Sequence, residues 1–294
     1  MSADTRQGLR VENLSKTYPN GVRALRKVSL EVSSGMYGLL GPNGAGKSTL
    51  MRTLATLQQP DQGGFFLDAD DGLRNPERIR LRLGYLPQHI GAYPGIAARA
   101  LLSRFAWLKG RTDRNERRRE VDSVLARVNL TDAADRHVST YSGGMLRRFG
   151  IAMTLLGEPR LLIVDEPTAG LDPAERDRFH QVLADVAADA VVLLSTHIVE
   201  DIENLCERLS VLAEGRIVAE GTPDALREPL EGRLWTIIVP RGDPLPESIL
   251  HSAAAPSGTR IVVESNERPG EGYLPHEPKL DDVYHASIKP SVAA

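Results

Sequence analysis

The chain has 294 residues, 41% of them hydrophobic, and a formal net charge of −3; that is ample apolar material for a buried core, and it excludes a disordered chain. The slightly acidic balance gives no global electrostatic case for gripping nucleic acid, whose phosphates demand neutralising cations. A single cysteine, Cys206, rules out an internal disulfide and any multi-cysteine zinc site, the polar Met1–Arg10 is unlike a secretory signal, and no apolar run approaches the ~20 residues needed to cross a bilayer.

In chain order, Leu9–Asn13 and Ala24–Val32 alternate as antiparallel strands do, and Met36–Leu40 is a short apolar run leading into a glycine-rich loop. Leu50, Leu54 and Leu57 then recur at helical spacing, and Gly64–Leu67 returns to strand character. Between Gln88 and Arg148 the periodicity is helical throughout, carried by Leu101, Leu102, Phe105 and Leu108 and then by Val121, Val124, Leu125 and Val128. Within that stretch the mixed charges of Arg111–Glu120 read as a solvated helix face.

Leu161–Val164 and Val191–Leu194 are two further strand-sized apolar runs, each followed by a helical segment. Asp172-Pro173 supplies a cap and first-turn pair for a helix through Ala188, and Ile198, Ile202 and Leu205 mark the face of the next. Glu214-Gly215 turns Leu209–Leu212 back along Arg216–Ala219. Beyond Pro223 the texture changes: ten of the 19 prolines lie there, around strand-like runs at Leu234–Val239 and Arg260–Val263. The expected fold is α/β: a P-loop NTPase core with a mixed sheet, an antiparallel β subdomain, an inserted helical subdomain over about 88–150 and a small α+β appendage. The expected division is 1–222 for the nucleotide-binding domain and 223–294 for an accessory region.

Gly41-Pro42-Asn43-Gly44-Ala45-Gly46-Lys47-Ser48-Thr49 matches the phosphate-binding loop and lies between a predicted strand and a predicted helix. Its glycines let backbone N–H groups converge on phosphate oxygens, Lys47 places a cation on the β and γ phosphates, and Ser48 can ligate Mg²⁺. The buried run ending in Asp165-Glu166 delivers two carboxylates at a strand's carboxyl end, where ligands of α/β sheets collect. Asp165 suits the metal, and Glu166 suits a general base on the attacking water. Tyr141-Ser142-Gly143-Gly144-Met145 precedes that strand and opens a helix expected from Leu146, whose amino end attracts anions.

This ordered set resembles the ABC ATPase family over roughly residues 9 to 221. The resemblance implies ATP and Mg²⁺ as cofactors, Tyr18 stacked on adenine, and Gln88 as the Q-loop residue that reaches the metal or water while its loop faces a transmembrane subunit. It implies His197 as the switch histidine on the γ-phosphate and Ala169-Gly170-Leu171-Asp172 as the D-loop. Ser142, Gly143 and Gly144 would bind the nucleotide held by a second ATPase subunit, in a homodimer or a heterodimer. Tyr141 and Met145 depart from the family's usual leucine and glutamine, and this spelling is similar to that of ABC-2 type exporters; Pro278–Tyr284 is similar to the end of their drug-resistance subgroup. The implied partner is a transmembrane permease and the implied location the cytoplasmic, inner face of the cell membrane, with no nucleic acid expected. A soluble ABC protein acting on ribosomes or nucleic acid is the competing reading, but the 54 positions from Gln88 to Ser142 leave no room for a long coiled-coil arm.

Overall fold

The computed structural model describes residues 8–91, 93–166, 172–196, 198–246 and 248–289. A six-stranded sheet forms the centre, in the order β10 (Arg216–Gly221), β9 (Arg208–Ala213), β3 (Gly35–Leu40), β8 (Val191–Ser195), β7 (Leu161–Asp165) and β6 (Leu83–Leu86). All neighbours are parallel except the β9/β10 hairpin at one edge. A four-stranded antiparallel sheet, β2 (Arg23–Val32), β1 (Leu9–Thr17), β4 (Gln62–Leu67) and β5 (Asp70–Asp71), lies over one side.

Because strand side chains alternate between faces, each central strand feeds two cores. Met36, Leu40, Leu162, Val164, Val192 and Leu194 enter one apolar cluster; Tyr37, Leu39, Leu161, Ile163, Val191 and Leu193 enter the other. The second cluster is completed by α1 (Lys47–Leu54), α2 (Pro76–Leu81) and the antiparallel sheet, through Leu50, Ile79 and Phe65. The first is covered by α3 (Ala98–Leu108), α4 (Arg114–Arg127), α5 (Gly143–Leu155), α6 (Pro173–Ala187) and α7 (Val199–Leu205). Central strands buried on both faces read as continuous apolar runs, which is why they stood out in the sequence.

The inserted helices pack on Leu102, Val121, Leu125 and Phe149, all buried, with Tyr93 and Tyr141 edge-on to the Phe149 ring at 6.5 and 6.1 Å. Two expected core positions fall outside. The helix containing Leu50 stops at Leu54, the chain turns left-handed at Thr56 (φ 59°), and Leu57 is 60% exposed. Leu108, at the end of α3, is 62% exposed. The helix expected from Leu146 begins earlier, at Gly143, because the Ser142 side chain caps it by accepting from the Met145 N–H.

After α8 (Pro223–Arg227) comes a third sheet, ordered β12 (His251–Ala255), β13 (Gly258–Glu264), β11 (Leu234–Pro240) and β14 (Leu274–Pro275), followed by α9 (Leu280–Ile288). One face has its own small core of Val239, Ile261 and Val263; from the other, Leu234 and Val262 join Leu280 and Val283 of α9 in the large central cluster. No helix among the described residues is long and apolar enough to cross a membrane.

Cys206 is the only thiol. It caps α7, is 5% exposed, and burial pushes its pKa up to about 12, with Asp201 adding to the shift. The thiolate is the reactive form, so iodoacetamide at about pH 8 should leave the native chain unmodified and alkylate it fully in urea, as read by intact mass.

Candidate active site

The loop after β3 is built by close approach. At Gly46, φ is 110° and a β-carbon would lie 2.2 Å from the Ala24 carbonyl oxygen, so the turn into α1 fits beneath β2 only with glycine there. Gly44 is also left-handed (φ 80°), and at Gly41 a β-carbon would meet the Leu212 carbonyl at 2.3 Å. Ala45, buried, donates its N–H to Pro42 at 3.1 Å and accepts from Gly215 at 2.9 Å, which fastens the loop to the β9/β10 turn.

Around this loop is a cavity of about 560 Å³. The loop residues Asn43, Gly44, Gly46, Lys47, Ser48 and Thr49 line it together with Gln88, Asp165, Glu166 and Tyr18. Tyr18 is fixed through its hydroxyl, 3.2 Å from both Thr49 Oγ1 and Gln58 Oε1. Val22 and Ala24 also line the cavity; neither carries a polar side chain, so no motif marks them.

Lys47 is 6% exposed and donates to the carbonyl oxygens of Gly41 and Pro42. Burial draws its ammonium below the ordinary value, while Glu166 and Asp165 oppose the shift. Burial pushes the Asp165 carboxyl up; the Ser195 hydroxyl pulls it back, Glu166 adds to the rise, and Ser48 and Lys47 lower it. Glu166 sits just past β7 with φ 48°, a left-handed conformation that non-glycine residues seldom adopt. Its N–H donates to Ser195 at 2.8 Å and its carboxylate accepts from Gln88 Nε2 at 2.7 Å. Gln88 thus meets Glu166 across 78 positions of sequence.

Ser142, Gly143 and Gly144 do not line this cavity. They form the amino end of α5, with Ser142 and Gly143 exposed and Gly144 pressed against Glu175, whose Oε2 would lie 2.5 Å from a β-carbon. Asp172 caps α6, accepting from Glu175 N–H at 2.8 Å. His197 and Ala169–Leu171 lie outside the described residues.

Arg147 escaped the sequence reading. From α5, 8% exposed, its Nη1 donates to the carbonyls of Pro87 and Gln88, each at 3.1 Å, and its Nη2 to those of Glu166 at 2.8 Å and Asp165 at 3.4 Å. Burial draws its pKa down to about 10 against the pull of Asp165 and Glu166, so it stays charged at neutral pH. The only available signal was an arginine on the apolar side of a helix. Arg147→Ala removes this donor from four carbonyls, at about 1–3 kcal/mol for each that water does not reach, and frees both segments. The expected result is a lower thermal midpoint and a loss of ATP turnover on the order of 10²-fold, only partly restored by Arg147→Lys, which lacks the fork to span two segments.

Residues 25–169 match the family described as ABC transporter. The chain is 40% identical over 227 residues to the daunorubicin resistance ATP-binding protein DrrA3 of Streptomyces coeruleorubidus, covering 76% of this chain and 71% of that protein. It is 33% identical over 306 residues to the doxorubicin resistance ATP-binding protein DrrA of Mycobacterium tuberculosis, covering 94% and 92%. Among solved structures it is similar to the ATP-binding subunit of an ABC transporter, at 30% identity and a TM-score of 0.70 over 76% of this chain and 93% of that one. A second is an ATP-binding cassette in a dimeric post-hydrolysis state bound to ADP and Pi, at 25% identity and a TM-score of 0.67 over 73% and 98%. A phosphate loop facing two carboxylates, a capped glycine pair and similarity running along most of the chain converge on one assignment: the chain belongs to the ABC transporter family and is an ATP-hydrolysing cassette.

Proposed function

We propose that this chain works as one of two ATPase subunits that close head-to-tail around two ATP molecules and drive a separate membrane permease in export, from the inner face of the membrane. The observation that carries this reading is the single cavity in which the phosphate loop, Gln88, Asp165 and Glu166 meet. Residues 1–222 would form the ATPase domain and 223–294 an accessory region.

In this reading the backbone of Gly41–Thr49 and the Lys47 ammonium hold the phosphates, and Tyr18 stacks on the base. Ser48, Asp165 and Gln88 offer oxygen donors of the hard kind that Mg²⁺ prefers, and the bound cation would neutralise charge on the β and γ phosphates. Glu166 polarises the attacking water, an effect worth roughly 10²–10⁴ in rate, and its amide partner Gln88 orients it. His197 is assigned to the γ-phosphate on the family resemblance. Ser142 and Gly143 support the dimer because they are exposed and away from the chain's own cavity, as residues serving a partner's nucleotide must be.

The permease side is supported by a second feature. A groove of about 540 Å³, lined by Leu57, Leu81, Tyr85, Phe105, Leu108 and Met153 among others, lies where the turn after α1 meets α2, α3, α5 and β6. Leu57, Leu81 and Leu108 are 60, 44 and 62% exposed, and Tyr85 is three residues from Gln88. An apolar surface so close to a catalytic residue suits an elongated element of a membrane partner. The substrate class follows the relatives' names only as far as amphipathic drug-like molecules.

Glu166→Gln should abolish steady-state hydrolysis while ATP binding persists and nucleotide-dependent dimers accumulate; near-normal turnover would remove Glu166 from its role. Leu57→Asp with Leu108→Asp should sharply reduce copurification of a polytopic membrane protein with the tagged chain and leave basal ATPase unchanged. Recovery of ribosomes or nucleic acid in place of a permease would overturn the transport reading and leave the ATPase intact.

A further inference from the structure

Three of the chain's seven histidines gather around adjacent carboxylates at the start of α9, far from the phosphate loop in sequence. His251 begins β12, and His285 and Asp281 lie one helical turn apart on α9. One ligating atom from each of His251, Asp281 and His285 falls within 4.8 Å of the others. The rings of His251 and His285 are stacked, with centroids 4.8 Å apart at 24°. Behind them is Asp282, 1% exposed, whose Oδ1 is 2.6 Å from His251 Nε2 and whose Oδ2 is 3.0 Å from His276 Nε2. Asp282 Oδ2 also accepts the Lys279 N–H at 2.7 Å.

We propose that His251, Asp281 and His285 form a binding site for a divalent transition metal of the Zn²⁺ class, which staples α9 to the third sheet. The donor set decides the class of ion. Two imidazoles and one carboxylate suit Zn²⁺ and its imidazole-seeking neighbours, whereas Mg²⁺ and Ca²⁺ take oxygen donors. Asp282 has the place of the outer carboxylate found behind metal-bound histidines: a proton held on His251 Nε2 toward Asp282 leaves the Nδ1 lone pair for the ion.

Reach is adequate. Donors of a tetrahedral site with bonds of ~2.0–2.1 Å stand about 3.3 Å apart, so closing from 4.8 Å takes side-chain rotation on the order of 1 Å. Asp281 and His285 are partly exposed, at 50 and 34%, which permits that rotation and leaves a coordination position for water. The bland alternative, imidazoles that merely satisfy buried Asp282, accounts for His251 and His276. It gives no role to the third ring stacked on His251 or to Asp281 beside it.

The consequence is structural. α9 packs on α7, α8, β9 and β10, and β9 pairs with β3, the strand that leads into the phosphate loop. An ion shared by β12 and α9 would fix the tail as one unit against the ATPase core.

The test uses the full chain with any affinity tag removed and metals stripped by chelator. CoCl₂ titration should give visible d–d absorption saturating at one equivalent, displaced by ZnCl₂, and ZnCl₂ should raise the thermal midpoint. His285→Ala and Asp281→Asn, each at a partly exposed position and each checked for native circular dichroism, should weaken Zn²⁺ binding at least about tenfold and cancel the thermal shift. His251→Ala serves as the third variant. Binding of equal stoichiometry and affinity in wild type and in His285→Ala would overturn the proposal, as would the absence of stoichiometric binding in the wild type. Because the readout is metal binding and thermal stability, failure here leaves the ATPase assignment untouched.

Discussion

Parallel pairing of β3, β8 and β7 forces their carboxyl ends onto one edge of the sheet, and the charged groups of the site follow from that constraint. β3 releases the chain into the phosphate loop, β7 ends in Asp165-Glu166, and β8 ends at Ser195, whose carbonyl receives the Glu166 N–H and whose hydroxyl lies against Asp165. Nothing in the local sequence of any one strand specifies this meeting. The register does: Leu39 stands beside Ser195, and Ser195 beside Asp165. Close packing then permits the burial of charge, because Lys47, Asp165 and Arg147 compensate one another where each alone would be costly.

The parts that were legible in the sequence are those whose physics is local or twofold periodic. Central strands buried on both faces read as apolar runs, and a phosphate loop needs its glycines in fixed positions because backbone conformation and the Ala24 carbonyl forbid a side chain at Gly46. Asp172 and Ser142 announce helix starts because capping is a matter of three residues. What the sequence hid depends on distant partners. β6 is four residues long with a glycine inside, and it exists because β7 lies beside it. α9 and the short strands β12 and β14 are likewise defined by what they pack on. Leu57 and Leu108 carry the helical period yet face outward, since periodicity locates a stripe without saying where the helix ends.

The site itself divides the same way. Lys47, Ser48, Asp165 and Glu166 carry their chemistry in their spelling. Tyr18 and Gln88 were reached only through family resemblance, and the geometry that joins Gln88 to Glu166 spans 78 positions of sequence. Arg147 lay in plain view within the helix after the glycine pair, but its partners are main-chain carbonyls, which leave no trace in a sequence.

That arginine has a mechanical meaning. One guanidinium grips the segment leaving β6, a strand whose Tyr85 forms part of the apolar groove, and the turn that carries Glu166. The two are therefore tied through one planar group, so that displacing either strains the hydrogen bonds it shares with the other. Linkage makes such coupling symmetric in free energy. Whatever factor an occupant of the groove imposes on nucleotide affinity, bound nucleotide imposes on that occupant's affinity for the groove.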